Sequence, residues 1–147
     1  MTLSDWAALH RDEMVAEEAS EETIALLLPL VAREIADAES VLSDDGRLEH
    51  AFAACLAAAR AALAACGYRL RTSAHHYLAI ESLQHTIGLS DAEIRQLQTY
   101  RRMRSRAMYD QVGAASGEDA RAALETAKAV AERLTTWLAR EHPDLSP

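Results

Sequence analysis

Apolar side chains recur at helical spacing through most of this chain, and the period predicts five helices separated by short polar turns. The first covers about Ser20 to Leu42, with Ser20 as its N-cap. Pro29 falls inside it, removes one backbone hydrogen bond, and so predicts a kinked helix in two pieces. Ser43-Asp44-Asp45-Gly46 reads as a turn and the next cap. The second helix, about Arg47 to Cys66, is almost polyalanine, with Phe52, Leu56 and Leu63 as larger anchors. Small side chains on several faces let neighbouring backbones approach, which places this helix centrally. Gly67 suits its C-terminal stop. The third helix starts near Thr72-Ser73 and stops at Gly88; His76, Ile80, Leu83 and Ile87 form its inward face, whereas His75 and His85 point elsewhere. The fourth opens on a capping box, Ser90 with Glu93, and ends near Tyr109. A loop leads to a second such box, Ser116 with Asp119, and the fifth helix runs to about Glu141 with Ala120, Leu124, Ala127, Leu134, Trp137 and Leu138 in register. Residues 1–19 read as an N-terminal arm whose Trp6, Leu9 and Met14 pack on the body, and 143–147 as a loose tail.

Composition supports one all-α domain, an up-and-down bundle of about five helices. A chain of 147 residues buries roughly 68–70% of its unfolded surface, enough for a core without staples. Hydrophobic residues make up 50% and aromatics only 5%, so alanine carries the core and favours closely packed helices over a sheet. Three acidic pairs, Asp12-Glu13, Glu17-Glu18 and Glu21-Glu22, read as a solvated face. There is no basic segment followed by a long apolar run, and the longest run of large apolar residues, Leu26 to Val31, is far short of the ~18–20 residues of a membrane span. The expectation is a cytoplasmic protein without a membrane partner. Cys55 and Cys66 sit on one helix ~16 Å apart, too far to bridge, and read as reduced core residues. Thiolate clusters, His-Glu-x-x-His and paired Glu-x-x-His motifs are missing from the sequence, so neither a metal nor another cofactor is expected.

The chemistry concentrates at Tyr100 to Asp110. Four of the fourteen arginines, Arg101, Arg102, Arg104 and Arg106, fall within six residues of a chain whose net charge is -8. On a helical wheel Ile94, Leu97, Tyr100, Met103, Ala107 and Met108 fill an apolar arc with Arg104 in its middle. Arg101, Ser105 and Tyr109 form an adjacent stripe, while Arg102 and Arg106 face away. An arginine on an apolar face is costly unless it snorkels, pairs with a carboxylate or serves a ligand. An inward histidine such as His76 is more often a hydrogen-bonded core residue than a catalyst.

The run Arg104-Ser105-x-x-x-Tyr109-Asp110, late on a helix of a small helical chain, resembles the signature of the HEPN family, in the branch whose motif ends in Tyr-Asp. The resemblance extends from the helix near Thr23 to Trp137-Leu138 and His142-Pro143, by way of Gly67-Tyr68, His75-His76-Tyr77, Ile80-Glu81-Ser82-Leu83 and Ile87-Gly88-Leu89. It implies a homodimer in which two motifs face each other and cut RNA without a metal. The attacking 2′-hydroxyl builds charge on phosphorus, which arginines from both subunits neutralise. Carried onto this chain, the resemblance makes Arg104, Tyr109 and Ser105 the catalytic set; Asp110 ends the motif, and with Arg101, Arg102 and His76, read from their placement, it forms the substrate-binding set. Two departures weaken cleavage. Tyr109 stands where active relatives have His, and a phenol is a poor base at neutral pH. Ser105 stands where many have Asn.

Three functional readings follow. The first is a non-catalytic or weakly active HEPN-like module that binds a nucleotide or RNA phosphate. The second is a metal-independent endoribonuclease, a toxin partnered by a nucleotidyltransferase or other antitoxin. In some family toxins such a partner modifies a tyrosine two residues after the motif histidine; here that position is Gln111, against that route. The third is a helical dimeric interaction protein whose arginines hold the dimer together. The acidic surface disfavours extended nucleic-acid binding but leaves room for a focused anion pocket.

Overall fold

The computed structural model of the chain describes residues 1–109 and 111–147. It is an all-helical bundle. In chain order it has α1 (Leu3–Leu9), β1 (Met14–Ala16), α2 (Glu21–Ser40), α3 (Asp44–Ala65), β2 (Tyr68–Leu70), α4 (His76–His85), α5 (Asp91–Tyr109), α6 (Gly117–Glu141) and a closing 3₁₀ turn, Pro143–Leu145.

The polyalanine helix α3 is the axis. It packs most extensively on α2 and α6, and also on α4, α5 and β2. Phe52, Leu48 and Leu63 are its large buried side chains, and the alanines between them are almost all buried as well. Close helix packing follows directly, because an alanine face offers little to hold two backbones apart. In its most apolar 18-residue window α3 has a mean hydropathy of 1.3, so by length and composition it could cross a membrane, contrary to the expectation that no stretch comes near. Counting large side chains missed it because alanines supply the hydropathy. Yet 67% of that window is buried within the chain's own bundle, as a core helix requires.

The serine caps stand where the pattern puts them. Ser20 accepts from the Thr23 amide, Ser43 from Gly46, Ser90 from Glu93 and Ser116 from Asp119, and the last two are reciprocated by the acidic side chain. Ser43 starts α3 three residues earlier than expected. Gly46 is required there, since a Cβ at that position would lie 2.8 Å from Ser43 Oγ and 2.9 Å from Val41 Cγ2. The structure corrects three further expectations. First, α2 runs unbroken through Pro29. Ile24, Leu27 and Val31 anchor the helix on one face before and after the proline, and Pro29 itself is exposed. Second, α4 is shorter than expected, because residues 72–75 form the turn leading out of β2. Third, the tail is not loose: Leu145 in the 3₁₀ turn packs against the core.

The sequence pattern also misses a two-stranded antiparallel sheet that pairs Met14 with Leu70, Val15 with Arg69 and Ala16 with Tyr68. Three residues are too few to register a period of two. This sheet and α1 tie the N-terminal arm to the body, with Trp6 and Met14 packed on Leu63 as expected, whereas Leu9 is exposed. One side chain of α6 joins the other helices. Arg133 Nη1 donates to both Glu93 carboxylate oxygens at 3.0 and 2.9 Å, and Nη2 donates to the carbonyls of Ile87 and Gly88 at 3.3 and 2.8 Å. It thereby clamps the α4–α5 turn and the start of the arginine-bearing helix.

Candidate functional site

Helix α5 begins inside the core and ends outside it. Ile94, Leu97 and Tyr100 are buried and Met103 packs on the core edge, but Met108 is 43% and Tyr109 74% exposed. The arginines lie on the stretch where the helix leaves its support. Gln98, only 5% exposed, organises the first of them. Its Nε2 donates to the Tyr77 carbonyl at 3.1 Å, and its Oε1 accepts from Arg101 Nε at 2.7 Å. The Arg101 guanidinium then lies 5.5 Å from the Tyr77 ring centroid. One turn later Arg104 is half-buried, with its guanidinium 6.0 Å from the centre of the Phe52 ring. Phe52 meets His76 edge-on, with ring centroids 6.1 Å apart. Three helices therefore converge: α3 supplies Phe52, α4 supplies His76 and Tyr77, and α5 supplies Gln98, Arg101 and Arg104.

Positive groups dominate this junction, with the Glu81 carboxylate at its Tyr77 edge. Among the described residues, Arg101, Arg102, Arg104 and Arg106 make no ion pair with a carboxylate. Among the described residues Arg102 bonds only the Thr99 hydroxyl, at 3.2 Å. Arg101 and Arg104 are held instead by aromatic faces, and Arg101 also by an amide oxygen. Burial, and then the nearby Arg104 guanidinium, depress the His76 pKa below its usual 6.5, so the imidazole is neutral at physiological pH. The Glu81 carboxylate beside Tyr77 raises the pKa of that phenol. His76 also lines a cavity of about 150 Å³ between α2, α3, β2 and the start of α4, with Leu27, Leu56, Arg60, Tyr68 and Ser73 around it.

Of the residues singled out in the sequence, the fold brings Arg101, Arg104 and His76 together. Ser105, Arg102 and Tyr109 are exposed on the outer part of α5, and Asp110 lies outside the described residues. Arg104 is in the apolar arc as the wheel places it, but the described residues offer it a ring face rather than a carboxylate. Phe52, Tyr77 and Gln98 complete the cluster. Gln98 carried a legible signal, as an uncharged polar residue between two core positions, Leu97 and Tyr100. Phe52 carried none, because it reads as an ordinary core anchor of another helix. Neither cysteine is a nucleophile here: burial pushes the thiol of Cys55 up to about 12 and that of Cys66 to about 11, and both are free. Chemically, the junction offers two guanidinium groups with open charge beside a neutral imidazole, a set suited to a phosphate or another small oxyanion. Comparison with protein-family models, curated proteins and solved structures gives no match to this chain.

Proposed function

We propose that this protein is a HEPN-like module that binds the phosphate of a nucleotide or of RNA with Arg101 and Arg104, and that it cleaves RNA weakly or not at all. One observation carries this reading. In a chain of net charge -8, two neighbouring guanidinium groups are held in place by rings and an amide, with no carboxylate partner among the described residues. Carboxylates are plentiful here, so a purely structural arginine pair would be expected to recruit one. Positioned but uncompensated guanidinium charge suits an anionic ligand. The exposed Met108, Tyr109 and Val112 beyond the arginines support a second copy at this end of the molecule, as the family resemblance implies.

Arg104→Met tests the reading, because it keeps an apolar stem over Phe52 and removes the charge. Binding of pyrophosphate, ATP and a short RNA, measured by calorimetry, should weaken by about 10–100-fold, given the ~1.5–3 kcal/mol of a hydrogen bond to a charged group. Thermal stability should change little. If the variant binds as the parent does, the arginines serve no phosphate. If it only unfolds or loses its dimer, they are structural. The depressed His76 favours a second reading, a metal-independent endoribonuclease in which this neutral imidazole takes the 2′-hydroxyl proton. Cleavage of total RNA in EDTA, leaving cyclic-phosphate ends and lost in Arg104→Met, would establish it. Intact RNA beside a well-folded parent protein would leave the binding module.

A further inference from the structure

A second cluster of ionisable groups lies at the seam between α2 and α3. Glu34 and Asp37 are three residues apart on α2 and therefore share a face. His50 reaches the same point from α3. His50 Nδ1 lies 2.8 Å from Glu34 Oε2, and one ligand atom from each of Glu34, Asp37 and His50 falls within 4.8 Å of the others. The group is sheltered: the side chain of Glu34 is only 14% exposed and that of His50 35%.

Two arginines lie around the cluster, and neither reaches Asp37. Arg33 touches Glu34 on the other carboxylate oxygen, Oε1, at 3.4 Å. Arg47 is occupied by the carbonyls of Ala38 and Val41, at 3.0 and 3.2 Å. Among the described residues the Asp37 carboxylate has neither a hydrogen-bond donor nor an ion-pair partner. Asp37 thus adds a second carboxylate beside the paired imidazole and carboxylate of this half-buried seam.

We propose that Glu34, Asp37 and His50 form a site for a first-row divalent transition cation such as Zn²⁺, which staples α2 to α3. The donor set selects this class, since one imidazole nitrogen with two carboxylate oxygens suits zinc and its neighbours better than magnesium or calcium, which take oxygen ligands. A tetrahedral cation ~2.0–2.2 Å from each ligand atom spaces those atoms about 3.4 Å apart, so His50 and Glu34, now 2.8 Å apart, separate slightly while the most distant ligand atom moves in. The two carboxylates achieve this by side-chain rotation, because both backbones are fixed in long packed helices. Three protein ligands leave at least one position for water. It is separate from the arginine cluster: His50 precedes Phe52 by two residues, about 200° around α3, and so faces another flank.

The test uses the full chain stripped with EDTA and titrated with ZnCl₂. Melting temperature should rise by about 5–10 °C once free Zn²⁺ exceeds its Kd a hundredfold. Co²⁺ in its place should give the visible absorption of a protein-bound ion. His50→Gln keeps a hydrogen bond to Glu34 and so preserves the fold, and Asp37→Asn is isosteric; each should weaken Zn²⁺ at least tenfold. MgCl₂ should give a much smaller shift. The proposal is overturned if Zn²⁺ leaves the melting temperature unmoved, or if both variants bind Zn²⁺ and Co²⁺ as the parent does. In that second case other histidines hold the ion.

Discussion

At the scale of single residues, Arg104 and His76 define each other. The guanidinium stands over the Phe52 ring whose edge meets His76, and its charge helps to keep the imidazole neutral. This has a signed consequence for pH. In the unfolded chain His76 gains a proton near its ordinary 6.5, whereas in the folded chain it does so only at lower pH. Between those two values the unfolded state binds more protons. The contribution to stability is therefore complete above about pH 6.5, declines as pH falls toward the native pKa, and levels off below it. His76→Gln should flatten part of the acid slope of an unfolding curve. Arg104→Met should raise the His76 midpoint seen by NMR titration. A midpoint that stays put would mean that the guanidinium does not sit by the ring in solution.

At the scale of elements, the serine caps were legible and helix continuity was not. Ser20, Ser43, Ser90 and Ser116 cap α2, α3, α5 and α6, because a cap is a local bargain between one hydroxyl and a free amide two or three residues on. Pro29 is the opposite case. Locally it argues for a break, but the buried face of α2 runs past it from Ile24 to Val31, and tertiary packing keeps one helix. The unsatisfied carbonyl and the ring then fall on the exposed side. Pro29→Ala should consequently stabilise the protein by about 1–2 kcal/mol in denaturant melts, less than the ~3 kcal/mol of intrinsic propensity because proline also stiffens the unfolded chain. A neutral or destabilising result would mean that α2 has adapted to the proline. The candidate site follows the same division. The arginine stripe on α5 was readable from spacing within one helix. Its partners Phe52 and Tyr77 were not, because they reach it from α3 and α4 across sequence separations that no periodicity encodes.

At the scale of the whole molecule, net charge limits what the arginine cluster can do. A surface carrying -8 overall repels a polyanion everywhere except at a local reversal such as α5. On the proposed reading, binding to single-stranded RNA through two guanidinium groups should thus depend only weakly on salt, with a slope of log K against log salt of about -1.4, the value for two neutralised phosphates. A slope several times steeper, measured by fluorescence anisotropy, would imply an extended basic track that the acidic surface does not offer. Helix α3 matters at this scale too. It touches α2, α4, α5 and α6, carries Phe52 toward the arginines, and carries His50 toward α2.

The sequence alone determined that this is an all-helical bundle, where most helices start, and that positive charge gathers on one late helix of an acidic chain. Those properties rest on period, capping and composition, which act within a few residues. Tertiary structure decided that α2 stays whole, that a short sheet holds the N-terminal arm, that Arg104 rests on a ring, and that Glu34, Asp37 and His50 meet. Each of these depends on the packing of one helix against another, and only the folded chain brings such distant residues within reach.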